Sequence, residues 1–397
     1  GVTGQDIEVN YNDHRDASGE TIEVGDGASV NANTGSVSFD RTVYPVPYGA
    51  ATGAMFKLHS TAGTGNLAAG DVVVHVRVTD ADYDVSAAGE DKINDGVSWG
   101  DAAFDSTLDH RVVIKVERGS NEQIISTPGN STTSLVEVSP DSGVFEYDQT
   151  ITFTDGPSSG CPSVAALTSG CILQGDIVTV QYKDTADASG KTQTVTDSAT
   201  FDLRNGVLQS DKSVYLIGSD MILTLIEPDF DLDNDGAESL SLDLIEWDSD
   251  AATTTLGGKQ LPASDDALAF DPEPSKFRET GDSTGIFQVV IEIPATLSGN
   301  SLDRGEKIDL EYTDWGPAGA NYVGQEDEDI NLTVYTSNFG ATIELDQKVY
   351  TWTDKVYITI VAPDHNMDSG LVDEIGDTVN DPVKVSTRGN ELANYKL

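Results

Sequence analysis

Apolar and polar residues alternate along this chain in short runs, and Gly, Asp and Pro separate each run from the next. Between residues 206 and 337 such runs fall at 207–210, 221–226, 240–247, 253–256, 286–293, 307–312 and 330–335. In a β-strand, successive side chains point to opposite faces, so apolar residues at every second position lie on one face. Each run therefore predicts a strand with one buried face. Seven short strands with turn residues between them are typical of an immunoglobulin-like β-sandwich. We therefore predict an all-β chain.

Three types of segment recur in a fixed order, which indicates tandem modules. The first is an opener with the pattern Asp-x-x-Val-Tyr, at 40–44, 211–215 and 346–350. The second is a β-branched strand that runs into an acidic loop, at 72–84, 222–235 and 356–368. The third is a closer that ends in Tyr-x-Asp, at 11–13, 182–184 and 312–314.

The order of these segments predicts the domain boundaries. Residues 1–34 would be the closing strands of a preceding immunoglobulin-like module, 35–205 a module with insertions, 206–337 a second module and 338–397 the opening part of a further one. Because the repeat begins and ends within a module, we expect the chain to be a section of a longer array.

Charge narrows the choice of partners. The 397 residues carry 68 Asp and Glu against 22 Lys and Arg, a formal net charge of −46. Nucleic acid is excluded as a partner, since its phosphates need Lys and Arg. An anionic membrane surface is disfavoured for the same reason, and no apolar run reaches the roughly 18 residues that span a bilayer. Cations are the expected ligands.

Alternate-position acids in the loops predict metal sites. Asp231, Asp233 and Asp235, followed by Gly236, have the spacing that begins a Ca²⁺ loop, and Asp229 precedes them. A helical EF-hand is excluded because the twelfth position is Leu242 rather than Glu. The equivalent candidates in the other modules are Asp82, Asp84, Asp364, Asn366 and Asp368, and the closers add Asp13, Asp184 and Asp314. We expect Ca²⁺, with Mg²⁺ as the alternative ion; the competing interpretation is that these Asp residues only end strands and cap turns.

The two cysteines, Cys161 and Cys171, stand ten positions apart in a loop rich in Gly, Ser and Pro. An even pair in a chain so poor in sulfur favours a disulfide and an oxidising, extracytoplasmic setting, with two unpaired thiols as the alternative. Asn130 and Asn331 begin glycosylation sequons.

Enzyme signatures are weak. The Asp141-Ser142-Gly143 triplet has the form of an aspartic-protease element, but it occupies a turn that repeats at 282–285. The five His residues show no metal-binding spacing, and the sequence has neither a nucleophile elbow nor a P-loop. We predict no catalytic residue.

With the repeat laid out, the sequence resembles the surface-layer (S-layer) proteins of ammonia-oxidising archaea. The likeness rests on the openers, on strands that end in Glu227-Pro228-Asp229 or in Ala362-Pro363-Asp364, on the Asp/Gly-x-Phe turn and on the Tyr-x-Asp closers. The resemblance implies tandem immunoglobulin-like domains, bound divalent cations and self-assembly into an acidic, porous lattice around the cell. The first module departs from it, because its acidic loop lacks the Pro and the counterpart of Asp235.

The expected function is therefore structural and extracellular. Copies of the chain would tile into a sheet in which Ca²⁺ neutralises carboxylates, and the negative lattice would enrich ammonium at the cell surface. The alternative is a calcium-rigidified adhesin or carbohydrate-binding surface protein.

Overall fold

The computed structural model describes residues 4–48, 70–94, 110–129, 133–151, 172–258, 269–368, 370–376, 383–388 and 390–395. The prediction of an all-β chain is confirmed, since 48% of the described residues lie in strands and no helix among them reaches seven residues. The chain divides into two compact units. Of the described residues, the first unit contains those up to Leu203 together with Leu232–Asn234, and the second contains Arg204–Asp231 and those from Asp235 on.

The first unit contains a hairpin and two five-stranded sheets. Its strands are β1 (Gln5–Asp13), β2 (Ile22–Val30), β3 (Ser36–Phe39), β4 (Val43–Pro45), β5 (Val72–Thr79), β6 (Lys92–Ile93), β7 (Val112–Arg118), β8 (Asn121–Ser126), β9 (Leu135–Glu137), β10 (Val144–Ile151), β11 (Ile177–Asp184) and β12 (Gln193–Asp202). β1 pairs with β2, and the sheets run β3-β5-β10-β9-β6 and β4-β12-β11-β7-β8. Within these two sheets β4 and β12 pair in parallel, whereas the other pairs are antiparallel.

The second unit repeats this topology. Its strands are β13 (Val207–Ser210), β14 (Val214–Tyr215), β15 (Asp220–Ile226), β16 (Ser239–Leu240), β17 (Ile245–Asp248), β18 (Thr253–Thr255), β19 (Glu273–Glu279), β20 (Ile286–Glu292), β21 (Thr296–Leu297), β22 (Asn300–Ser301), β23 (Lys307–Asp314), β24 (Glu328–Thr336), β25 (Thr342–Leu345), β26 (Ile358–Val361), β27 (Val383–Thr387) and β28 (Asn390–Tyr395). The five-stranded sheets run β13-β15-β20-β19-β16 and β14-β24-β23-β17-β18. Each strand of the first pair of sheets thus has a counterpart in the second.

The alternating pattern correctly predicted those strands that have one apolar and one polar face. Every run predicted between 206 and 337 contains a strand, but the run 240–247 is broken by a 3₁₀ turn at Leu242–Leu244. The Ser241 hydroxyl accepts from Asp243 N and starts that turn. β19 escaped prediction because it buries only Phe277 and Glu279.

The inward positions of these strands form the cores. On β11 the side chains of Val178, Val180 and Tyr182 are fully buried, and on β23 Ile308, Leu310 and Tyr312 take the same places. Full burial of one such side chain contributes roughly 1.5–3 kcal/mol.

Hydrogen bonds to the opener aspartate explain why the Asp and the Tyr of this motif recur together. The hydroxyl of Tyr215 donates to Asp211 Oδ1 at 2.6 Å, and that oxygen also accepts from Ile222 N on β15. Tyr350 donates to Asp346 in the same way, at 2.7 Å. The Asp and the Tyr are therefore needed four positions apart to tie the opener to the strand that follows.

Candidate cation sites

In each module the acidic loop begins with one 3₁₀ turn, which follows β5, β15 or β26. The turns are Ala81–Tyr83, Pro228–Phe230 and Pro363–His365. In the first two, the side chain of the preceding residue, Asp80 or Glu227, accepts from the N–H of the middle residue of the turn. The residue that ends each turn, Asp84, Asp231 or Asn366, bonds its own N–H back to the first residue.

A glutamate at the end of a strand supplies a second carboxylate, besides the Asp that ends the 3₁₀ turn. Glu279, the last residue of β19, accepts from Thr284 N at 2.6 Å and from Gly285 N at 2.8 Å through Oε1. Glu137 at the end of β9 accepts from Ser142 N and Gly143 N in the same way. The glutamate thereby holds the turn that precedes the next strand.

The third carboxylate comes from the residue before the short edge strand. Asp91, before β6, forms two hydrogen bonds with Glu137: Glu137 N donates to the backbone oxygen of Asp91 at 3.0 Å, and Asp91 N donates to the side-chain oxygen Oε2 of Glu137 at 2.9 Å. Glu238, before β16, has the same two bonds with Glu279, at 3.0 and 3.3 Å.

These elements bring together two equivalent groups of carboxylates, which we call the triads. One consists of Asp84, Asp91 and Glu137 and the other of Asp231, Glu238 and Glu279; in each, one oxygen from every residue lies within 4.8 Å of the other two. Asp231 and Glu279 are buried, at 7% and 4% exposure. Three hard oxygen donors converging on one point suit a hard divalent cation such as Ca²⁺.

The third acidic loop repeats part of this arrangement. Asp91 Oδ2 accepts from Val85 N and Ser86 N, and Asp373 Oδ2 accepts correspondingly from Met367 N and Asp368 N. Asp373 thus corresponds to Asp91. Asn366 stands where the triads have Asp84 and Asp231, so this loop carries one charge fewer at that point.

Within the triads the pKa values of the carboxyl groups shift in different directions. Loss of hydration raises the pKa of Asp84, and the neighbouring charges of Glu137, Asp141 and Asp91 raise it further. The hydrogen bond from Asp91 N lowers the pKa of Glu137 despite opposing desolvation, and the bonds from Gly143 and Ser142 add to this lowering. Burial opposes ionisation of Glu279, but hydrogen bonds from Glu238, Thr284 and Gly285 outweigh it and lower its pKa. A bound cation would remove the repulsion that Asp84 feels.

Of the aspartates predicted as metal ligands, the structure brings Asp84 and Asp231 into the triads. The middle residues of the turns lie elsewhere: Asp82 Oδ1 accepts from Asn33 N, Asp229 Oδ2 from Arg204 N, and Asp364 Oδ1 from Phe339 N.

The closer aspartates bind backbone groups. Asp184 accepts from Gly35 N and Ala186 N at 2.9 and 2.8 Å, and Asp314 accepts from Gly206 N and Gly316 N, both at 2.9 Å. Both carboxyls are almost fully buried. Asp13 accepts from Arg15 N.

The remaining predicted residues have varied surroundings. Asp233, which belongs to the first unit, places Oδ1 2.9 Å from His75 Nε2. Asp235 is exposed, and Asp368 accepts from Gly370 N and Leu371 N. Asn331 is exposed on β24. Cys161, Cys171 and Asn130 lie outside the described residues.

Sequence reasoning missed Asp91, Glu137, Glu238 and Glu279. A signal was present for two of them, because Glu137 and Glu279 each stand six residues before the glycine of the repeated turn, Gly143 or Gly285. Asp91 and Glu238 differ in residue type and follow loops of different sequence, so only the strand pairing aligns them.

Comparisons with known proteins give distant structural similarities. No protein-family model matches the sequence, and no curated protein matches it significantly. The chain is similar to domains 1–6 of the surface layer protein SbsC (12% identity, TM-score 0.21, covering 98% of this chain and 53% of that one). It is also similar to the adhesin InvE of Yersinia pseudotuberculosis (11%, 0.19, 77% and 60%) and to a purple acid phosphatase from yellow lupin seeds (10%, 0.17, 78% and 43%).

The chain therefore spans about half the length of the solved SbsC structure and three fifths of the solved InvE structure. At TM-scores near 0.2 these similarities carry no functional argument. An S-layer protein is among the neighbours, but none of the three establishes an archaeal origin. Among the described residues, no helix has the length and apolarity needed to cross a bilayer.

Proposed function

We propose that this chain is a structural protein of the cell surface that self-assembles into an S-layer, and that its modules bind divalent cations, Ca²⁺ first and Mg²⁺ as the alternative. The observation that carries the proposal is the recurrence of one three-carboxylate triad at equivalent positions of two modules. A single acidic cluster is common on an acidic surface. The Asp91–Glu137 and Glu238–Glu279 pairs share the same two hydrogen bonds, one between backbones and one from a backbone N–H to the glutamate side chain, so the architecture around the triad recurs as well.

Electrostatics supplies the reason for a cation. Two carboxylates about 4 Å apart repel by about 1 kcal/mol in water and by more where burial lowers the dielectric constant. A net charge of −46 also opposes close contact between copies of the chain. A divalent cation at each triad would relieve the first effect, whereas two such ions offset only a small part of the net charge. Affinities of about 0.1–1 mM are typical of extracellular calcium modules.

Calorimetric titration of Ca²⁺ tests the cation sites. We expect Glu279→Gln to remove one binding event, because Gln keeps an oxygen acceptor for Thr284 N while it loses the charge. Glu137→Gln should do the same at the other triad. Asp248→Asn is the matched control, since Asp248 is exposed and its bond to Thr253 is one that Asn can accept. Equal binding by all three variants and the unmodified chain would show that the triads are not the sites.

Electron microscopy of the purified protein tests assembly. A lattice protein should form ordered sheets on addition of Ca²⁺, and a chelator should dissolve them. An adhesin stalk, the alternative function, should stay monomeric and only become more stable. A chain that remains monomeric with Ca²⁺ bound would contradict the lattice proposal and favour the stalk.

Enrichment of ammonium is a separate part of the proposal. The Debye length is about 3–8 Å at saline ionic strengths, so the negative potential can act only within narrow pores. Ammonium uptake by intact cells should exceed uptake by cells stripped of the layer at low ammonium. Equal uptake would refute enrichment without bearing on assembly.

A further inference from the structure

In each module the 3₁₀ turn lies between two kinds of contact and connects them. The residue that ends the turn, Asp84 or Asp231, belongs to a triad. The middle residue, Asp82 or Asp229, accepts from the backbone of the segment that leads into the module. We call this segment the entry segment; it consists of residues 33–35 before β3 and 204–206 before β13.

The anchoring of the entry segment is the same in both modules. Its first residue donates N–H to the turn: Asn33 N to Asp82 Oδ1 at 2.9 Å and Arg204 N to Asp229 Oδ2 at 3.0 Å. Its third residue donates to the closer aspartate: Gly35 N to Asp184 and Gly206 N to Asp314, both at 2.9 Å. In the third acidic loop, Phe339 N donates to Asp364 at the equivalent position.

The turn that joins the two contacts is held rigidly. Phe230 N donates to Glu227 O at 3.1 Å, and the ring of Phe230 meets the ring of Phe287 edge-on with centroids 6.5 Å apart. In the first module Tyr83 N donates to Asp80 O, and Tyr83 packs in the same manner on Phe145 at 6.4 Å. A displacement of Asp231 is therefore transmitted to Asp229, two residues away.

We propose that cation occupancy of the triad and anchoring of the entry segment are coupled through this turn, so that the cation regulates how firmly the chain is fixed where it enters the module. The inference rests on the proposed cation binding. With a cation present, Asp231 is drawn toward Glu238 and Glu279, and Asp229 holds the Arg204 N–H. Without it, repulsion within the triad displaces Asp231, the rigid turn moves Asp229 with it, and the Arg204 N–H exchanges with solvent more often.

Hydrogen exchange of individual backbone amides tests the coupling. It is measured by NMR with and without Ca²⁺, on dilute chain that sedimentation shows to be monomeric in both conditions. We expect Ca²⁺ to slow exchange of the Arg204 amide by about tenfold, which corresponds to about 1.4 kcal/mol. Glu279→Gln should abolish this effect, although the Glu279 carboxylate accepts from Glu238 N, Thr284 N and Gly285 N and is not an acceptor for the Arg204 or Gly206 N–H. The Leu302 amide, which donates to Ala295 O at 3.0 Å, is the internal reference and should show the same exchange in both conditions.

The outcomes separate the two proposals. If Ca²⁺ binds by calorimetry but the Arg204 amide exchanges at the same rate with and without it, the coupling is refuted and the cation site stands. A slowing that persists in Glu279→Gln would also refute the coupling, because it would then arise away from the triad. If Ca²⁺ does not bind, both proposals fail.

Discussion

Gly285 is the position at which the triad depends most directly on backbone shape. Its φ is +59°, and a Cβ built on it would lie 2.9 Å from Pro228 Cα, in the turn that leads to Asp231. Its N–H also donates to Glu279 Oε1 at 2.8 Å. Gly143 has the same role in the first module, with φ +61° and a Cβ distance of 3.2 Å to Ala81 Cα. Gly285→Ala should therefore be strongly destabilising.

The magnitude follows from two contributions. A left-handed conformation costs a residue with a Cβ about 1–2 kcal/mol. The close approach to Pro228 adds about 1–3 kcal/mol, the usual cost of overpacking where backbone must shift. The predicted loss is thus about 2–5 kcal/mol. Gly305→Ala isolates the first contribution, because Gly305 has φ +86° and nothing within 4 Å of its built Cβ, and should cost only about 1–2 kcal/mol.

Urea unfolding checks this prediction. The fluorescence of Trp247, fully buried in the same module, reports the transition. With a slope of about 2 kcal/mol per molar urea, Gly285→Ala should lower the wild-type midpoint by about 1–2.5 M, and Gly305→Ala should lower it by about 0.5–1 M. Equal losses for the two variants would refute the argument that the glycine is needed for close approach of the turn.

Two further predictions concern buried charges. Arg118 is half-buried and forms a two-point ion pair with the buried carboxylate of Asp176, so Arg118→Met should cost about 3–5 kcal/mol because it leaves that carboxylate unpaired. Arg77→Met, whose pair with Glu146 is exposed, should cost under about 1 kcal/mol, and similar urea midpoints for the two variants would contradict this. Burial, reinforced by Asp229 and Asp314, raises the pKa of Glu227 well above its usual 4.5. The folded state then binds the proton more tightly than the unfolded chain, so the carboxyl favours folding below pH 4.5 and opposes it increasingly as the pH rises toward the folded pKa. Glu227→Gln should therefore gain stability over the wild type with rising pH, by about 1.4 kcal/mol for each pH unit between the two pKa values, and a gain independent of pH in thermal unfolding would count against it.

The sequence by itself determined the strand content, the order of the repeat and the acidic loops, because period-two alternation and turn residues are local properties of the chain. It also placed Asp84 and Asp231 among its twelve candidate metal ligands, since alternate acids beside a strand end are visible in one stretch of residues. The local pattern was ambiguous about Asp82, Asp229, Asp184 and Asp314, and the fold places these as acceptors for backbone N–H groups.

Only the tertiary structure decided which carboxylates meet. Glu279 is 48 positions from Asp231 in the chain, and it reaches the turn because β19 pairs with both β16 and β20. Such pairing depends on which strands share a sheet and in what register, and both are set by packing of the apolar faces rather than by any residue near the site. The triads are thus a property of the sheet, carried by residues that no single motif connects.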